Sequence, residues 1–147
     1  PVWVERLADL KQKLSDSDGF VIISPEWHGQ VPSGLKNFFL MFNRFQLGHK
    51  PALIITVSSA DGGAYPVAEL RMSSYKNNRI CYLPEHVILR NVESILNDDD
   101  KDNDESADGY FRERIDWALG ILRGYAVALK DMRANTEIFH DKFGNGM

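Results

Sequence analysis

Apolar and polar positions follow two rhythms along this chain, one helical and one without alternation. Val2, Val4, Leu7, Leu10 and Leu14 recur at close to helical spacing, and Pro1 suits a first turn, so residues 1–14 predict a helix. Ser15-Asp-Ser-Asp-Gly19 is turn chemistry. Phe20 to Ser24 then runs apolar or small without alternation, the pattern of a parallel strand covered on both faces. Pro25 has no N–H for a ladder, so pairing is expected to stop at Ser24. Pro32 to Phe45 reads as a second helix, crowded with Phe38, Phe39, Phe42 and Phe45 and closed by Gly48-His-Lys-Pro51. Ala52 to Val57 is a second unbroken strand, and Tyr65 to Lys76 a third helix with Val67, Leu70 and Met72 apolar. Ile80-Cys-Tyr-Leu83 is extended and resumes at Val87-Ile-Leu89 beyond Pro84. From Asp108, apolar Phe111, Ile115, Ala118, Leu122, Tyr125, Leu129 and Met132 mark a long amphipathic helix.

The order is helix, strand, helix, strand, helix, strand, helix. Right-handed crossovers between parallel strands are the expected connection, giving one α/β domain over residues 1–147. A content of 44% hydrophobic and 26% charged residues is that of a soluble globular domain. A net charge of -4 offers no basic surplus for phosphates, so nucleic acid is not expected as a partner. No apolar run reaches membrane-spanning length, so no membrane is expected either. The single cysteine, Cys81, cannot close an internal disulfide and points to a reducing, cytoplasmic compartment. The chain shows no signal-peptide pattern and opens at Pro1 without Met, within what reads as a helix, as a fragment of a longer protein would.

Two loops stand at the carboxyl ends of neighbouring strands, Pro25 to Gly29 and Ser58 to Ala64, which is where open α/β sheets hold ligands. Trp27 offers a stacking face, and Gly62-Gly63 lets backbone N–H groups approach a ligand without a Cβ in the way. Ser58, Ser59 and Asp61 add short-range hydrogen bonding. The same residues also fit two ordinary polar turns.

The run Ser24-Pro-Glu-Trp-His-Gly-Gln-Val-Pro-Ser-Gly-Leu-Lys-Asn37 resembles the P-E-Y-N-G-S-x-P-x-x-L-K-N signature of the NADPH-dependent FMN reductase family. Asp18-Gly19 before the strand and Lys50-Pro-Ala52, with the Gly-Gly loop after the next strand, are similar too. The resemblance runs from about Pro1 to Asn91, and more loosely through the final helix. It implies a flavodoxin-like three-layer sandwich with a parallel sheet, binding FMN noncovalently. It implies NADPH or NADH as co-substrate and a small-molecule electron acceptor: a quinone, free flavin, an azo dye or a metal oxyanion. Carried over by position, Pro25, Glu26, Trp27 and His28 would line the flavin ring, and Ser58, Ser59, Ala60, Asp61, Gly62 and Gly63 would form the opposing loop. The flavin does the redox work, so no catalytic side chain and no metal is expected.

Trp27 stands where the family has Tyr, His28 where it has Asn, and Leu40-Met41 where it usually has Asp-Trp. In the family the second helix tends to meet a partner copy, so a homodimer or homotetramer is implied, with Phe38, Phe42 and Phe45 available to serve the contact. The family's opening strand and its G-S-x-R-x-x-S phosphate loop have no counterpart here. Roughly 35–45 residues are expected to be missing, leaving about two-thirds to four-fifths of the family's domain. In the strand order 2-1-3-4-5 this removes the first two strands and leaves Phe20 to Ser24 as an open edge.

A flavodoxin-like electron carrier without its own nicotinamide substrate is the alternative. Such carriers are usually strongly acidic, whereas here the acid is concentrated in the run from Asn97 to Asp104. That run fails as a calcium loop, because counting from Asp98 the sixth place is Asn103 and the twelfth Gly109. It reads instead as a solvated loop. His28, His49, His86 and His140 lack metal-ligand spacing, and Cys81 reads as a small core residue.

Overall fold

A computed structural model describes the backbone of residues 2–144 and the side chains of residues 5–144. The reading of Pro1 and of the Val2 and Val4 side chains lies outside these described residues. The elements are α1 (Val2–Asp16), β1 (Phe20–Pro25), α2 (Ser33–Met41), α3 (Arg44–Leu47), β2 (Pro51–Val57), α4 (Ala64–Ser73), β3 (Cys81–Leu89) and α5 (Glu105–Asn135), with short 3-10 turns between and after them.

The three strands form one parallel sheet in the order β1-β2-β3. One face carries α1 to α4 over a core of Leu14, Ile22, Val31, Phe42, Leu47, Ile54, Val67 and Leu70. The other carries α5, whose Ala118 and Leu122 close on Leu53, Ile55, Leu83, Val87 and Leu89. Helix, sheet, helix is the three-layer flavodoxin-like arrangement. β2 is buried along both faces, as an unbroken apolar run requires. β1 is not: Ile22 and Ser24 are buried, but Val21 and Ile23 on the opposite face are 39% and 61% exposed. The expectation that this strand is covered on both sides is therefore corrected, because no described helix reaches that face.

Several boundaries also move. Pairing runs through Pro25, which stands opposite Val57, because only its missing N–H is barred from a ladder and its carbonyl side is not. The helix expected from Pro32 to Phe45 breaks at Phe42, which turns extended and buries its ring. Asn43 then caps α3, accepting from Phe45 N–H, while Gln46 reaches back to the Asn43 N–H in a capping box. Phe42 is buried in the core, and Phe38 is half-buried against it. Phe45 is exposed on one side and lies against Phe139, with ring centroids 5.0 Å apart. α4 ends at Ser73, three residues before Lys76. α5 starts before Asp108, because Asp104 caps it by accepting from Ala107 N–H. β3 passes through Pro84 as one strand, and a register shift against β2 between Ala52 and Ile54 accommodates it. Arg71 of α4 donates to the carbonyls of Leu83 and Pro84 beside that irregularity.

Candidate functional site

All three strands point the same way, so their exit loops gather at one end of the sheet. The loop after β1 is a tight hairpin. Trp27 and Gln30 exchange backbone hydrogen bonds of 3.1 and 3.0 Å across His28 and Gly29. With φ of 51° and 72°, both central residues are left-handed, the backbone of a type I′ turn. The turn presents Trp27 to solvent, 65% exposed, where an indole buried for stability alone would not be.

The loop after β2, Ser58 to Gly63, is fastened from two sides. From β1, the Glu26 N–H donates to Val57 O (2.9 Å), and the Glu26 carboxylate accepts from Gly63 N–H (2.6 Å). That carboxylate lies at the start of α4, where the helix dipole favours a negative charge. From β3, Ser58 N–H donates to Leu89 O (2.8 Å), Asn91 N–H to Ala60 O and Val92 N–H to Ser58 O (both 3.2 Å). The Arg90 side chain donates from Nε to Gly62 O (3.0 Å). The two glycines divide the work. A Cβ at Gly62 would lie 2.9 Å from Glu26 Oε1 and 3.0 Å from Ser58 Oγ, so its lack of a side chain lets the loops close. Gly63, at φ +99°, would put a Cβ 2.4 Å from Ile88 Cγ2. Its N–H goes to Glu26 and its carbonyl accepts from Thr56 Oγ1 at 2.7 Å, so both polar groups are spent inside the protein.

What the loop keeps free is more telling. Among the described residues, no acceptor takes the backbone N–H of Ser59, Asp61 or Gly62. Ser59, Ala60 and Asp61 are exposed, and Pro25, Glu26, Ser58 and Gly62 half-buried. The end of the sheet that carries the exposed indole thus also carries three backbone N–H groups with no partner among the described residues. Tyr65, in the first turn of α4, is exposed beside the hairpin, its ring 3.8 Å from where a Gly29 Cβ would stand.

The structure thus brings together both sets of residues expected from sequence, Pro25 to His28 and Ser58 to Gly63. The sequence pattern does not point to Tyr65, Arg90 or Asn91, and it points to Glu26 only in part. Glu26 is expected to line the ring, and its carboxylate ties the loops together as well. The sequence pattern marks Tyr65 only as a helix start. Arg90 and Asn91 went unnoticed, although the rule that sites form at carboxyl ends of strands applies equally to β3. No group of three His, Cys, Asp or Glu side chains among the described residues is placed to hold a metal.

A family model for NADPH-dependent FMN reductase matches residues 4–94, a stretch that holds all three strands and the loops after β1 and β2. The chain belongs to the NADPH-dependent FMN reductase family. FMN and a nicotinamide nucleotide are the pair that the family's description names. The structure is also similar to that of an oxidoreductase from Corynebacterium diphtheriae, at 20% identity and a TM-score of 0.66. That match covers 84% of this chain and 63% of the other, so the chain spans less than two thirds of its structural relative. At that identity the likeness speaks for the fold. No helix among the described residues is long and apolar enough to cross a membrane.

Proposed function

We propose that the chain is the greater part of a flavin-dependent NAD(P)H oxidoreductase, with the ring of FMN resting between Trp27 and the Ser58–Gly63 loop. One observation supports this reading: the Glu26–Gly63 hydrogen bond ties the turn that carries the exposed Trp27 to the loop that carries three unused backbone donors. A flavin has the matching chemistry, a flat apolar ring system with two carbonyl acceptors on one edge. Trp27 covers the ring, and the N–H groups of Ser59, Asp61 and Gly62 receive its carbonyl edge. Glu26 keeps the loops at a fixed separation, and His28 holds the hairpin that aims Trp27. When bound, FMN supplies the capacity to take a hydride from a nicotinamide and pass two electrons on. The protein's part is to orient the ring and leave one face open, which is a positioning task.

A quinone, free flavin, azo dye or metal oxyanion is the proposed acceptor class. The proposed assembly is a homodimer. Its surface is the α2/α4 face, where Leu40 and Met72 are 84% and 77% exposed at and near a hollow of about 390 Å³ lined by Val31, Lys36, Phe39 and Leu70. In the whole protein, Leu40→Lys is expected to return the dimer to single chains in sedimentation.

The whole protein is tested by FMN titration and by NADPH oxidation with a quinone. FMN-dependent oxidation supports the enzyme; flavin binding with no oxidation by any acceptor would leave the electron-carrier alternative. Trp27→Ala should weaken FMN binding about tenfold, as loss of an aromatic stacking contact worth ~1 kcal/mol or somewhat more would. Unchanged flavin content after purification would remove Trp27 from the site.

A further inference from the structure

We propose that Arg90 tunes the bound flavin by placing a fixed positive charge beside the ring edge that becomes anionic on reduction, a reading that rests on the flavin site proposed above. Arg90 directly follows β3, and its side chain crosses to the neighbouring loop to donate from Nε to Gly62 O at 3.0 Å. The same Gly62–Gly63 peptide donates its N–H to the Glu26 carboxylate at 2.6 Å. One peptide is thus pinned between a carboxylate at its N–H and a guanidinium at its carbonyl, which fixes the plane of the loop and the place of the cation together.

The rest of the guanidinium is unspent. Arg90 is exposed, its two terminal nitrogens have no hydrogen-bond partner among the described residues, and it pairs with no described carboxylate, Asp61 included. By contrast, Arg71, Arg79, Arg112 and Arg133 each spend a terminal guanidinium nitrogen on a carbonyl or carboxylate. A free cation held at the rim of a ligand shelf asks for an anionic or charge-developing group on the ligand.

The shelf also says which part of the ring lies there. The unused N–H groups of Ser59, Asp61 and Gly62 call for acceptors, so the carbonyl-bearing edge of the flavin faces this loop and the dimethyl edge faces away. Hydride transfer from a nicotinamide breaks one C–H bond, forms one N–H bond at N5 and oxidises the nicotinamide to its cation. It leaves the reduced ring with one negative charge, shared between N1 and the C2 carbonyl on that same edge. A guanidinium beside it favours reduced over oxidised flavin, since nearby charge is one of the levers a protein has on a cofactor's potential.

The test uses the whole protein loaded with FMN, together with Arg90→Gln and Arg90→Lys. The two-electron potential is read by spectroscopic titration against a reference dye, and oxidised FMN affinity by fluorescence. In Arg90→Gln the preference for reduced over oxidised flavin should fall about tenfold, equivalent to a potential lower by about 30 mV. Oxidised FMN affinity should change less than about threefold, as for a partly exposed charge. Arg90→Lys, which keeps the charge, should retain most of the preference. An unchanged potential in Arg90→Gln overturns the proposal, as does Arg90→Lys falling as far as Arg90→Gln, because the lost Gly62 tie would then account for the effect. Failure of the unaltered protein to bind FMN overturns the flavin site itself, and this assignment with it, and is distinguished by appearing before any substitution.

Discussion

His28 and Gly63 both sit in left-handed backbone, and they do so on different terms. His28 occupies the first central place of a type I′ turn at φ 51°, a conformation that histidine tolerates but asparagine prefers, because a short amide can hydrogen-bond locally there. The family signature has Asn at this place. His28→Asn should therefore stabilise the folded protein by roughly 0.5 kcal/mol, seen as a higher urea midpoint. A lower midpoint would mean that the imidazole makes a contact that the turn geometry does not explain. Gly63 allows no such exchange. Gly63→Ala must accept φ +99° and a methyl 2.4 Å from Ile88 Cγ2, and its neighbour across the sheet is a branched side chain with little room to give. A loss of about 2 kcal/mol or more is expected, with α4 loosened at its first turn, read by urea titration and by hydrogen exchange of residues 63–66. The glycine pair was visible in the sequence as a place for backbone to approach a ligand. Which glycine serves the fold and which the shelf was not, since that depends on Ile88 and Glu26, which are distant in the chain.

Helix and strand order was legible because unbroken apolar runs and helical spacing follow from burial on a layered sheet, and those patterns are local. The errors fall where one residue's side chain decides a boundary. Asn43 and Gln46 form a capping box that the crowd of phenylalanines obscured, and Asp104 caps α5 from within a run that looked merely acidic. Lys50 is a further case. Its Nζ donates to the carbonyls of Leu14 and Ser15, both at 2.7 Å, closing the end of α1 from the start of β2. Burial pushes its pKa from the usual 10.5 to about 8; Arg133 adds to the shift, and Asp18 and Asp16 oppose it. Between those two values the unfolded chain keeps a proton that the folded chain has released. Stability should then rise with pH across that window, by at most about 1.4 kcal/mol per pH unit, and show no pH dependence from Lys50 below it. Comparing urea midpoints at pH 7.5 and 10 in the parent and in Lys50→Met isolates the effect: the parent should gain more than the variant. Equal gains would show that the ammonium is better solvated than its position under α1 implies.

At the scale of the whole molecule, β2 is covered on both faces and β1 on one only. An apolar parallel strand needs cover on both faces, yet Val21 and Ile23 of β1 face solvent, and the backbone of β1 away from β2 is unpaired among the described residues. β3 has a free outer edge as well. Two unlike edges on a parallel sheet can join head to tail, and that contact does not close on itself. The 147-residue chain by itself is therefore expected to associate beyond two copies as its concentration rises. This differs in kind from the proposed α2/α4 contact, which buries the same patch on both copies and stops at a dimer. The two substitutions separate them. Ile23→Lys places a charge on the bare face beside the open edge and should abolish the open-ended growth, leaving an α2/α4 dimer. Leu40→Lys should remove the dimer and leave the growth. Sedimentation velocity over a hundredfold concentration range reads both. A single species near 16.7 kDa at every concentration in the unaltered chain would mean that Val21 and Ile23 are tolerated bare, and that the edge is protected by its own twist and shortness.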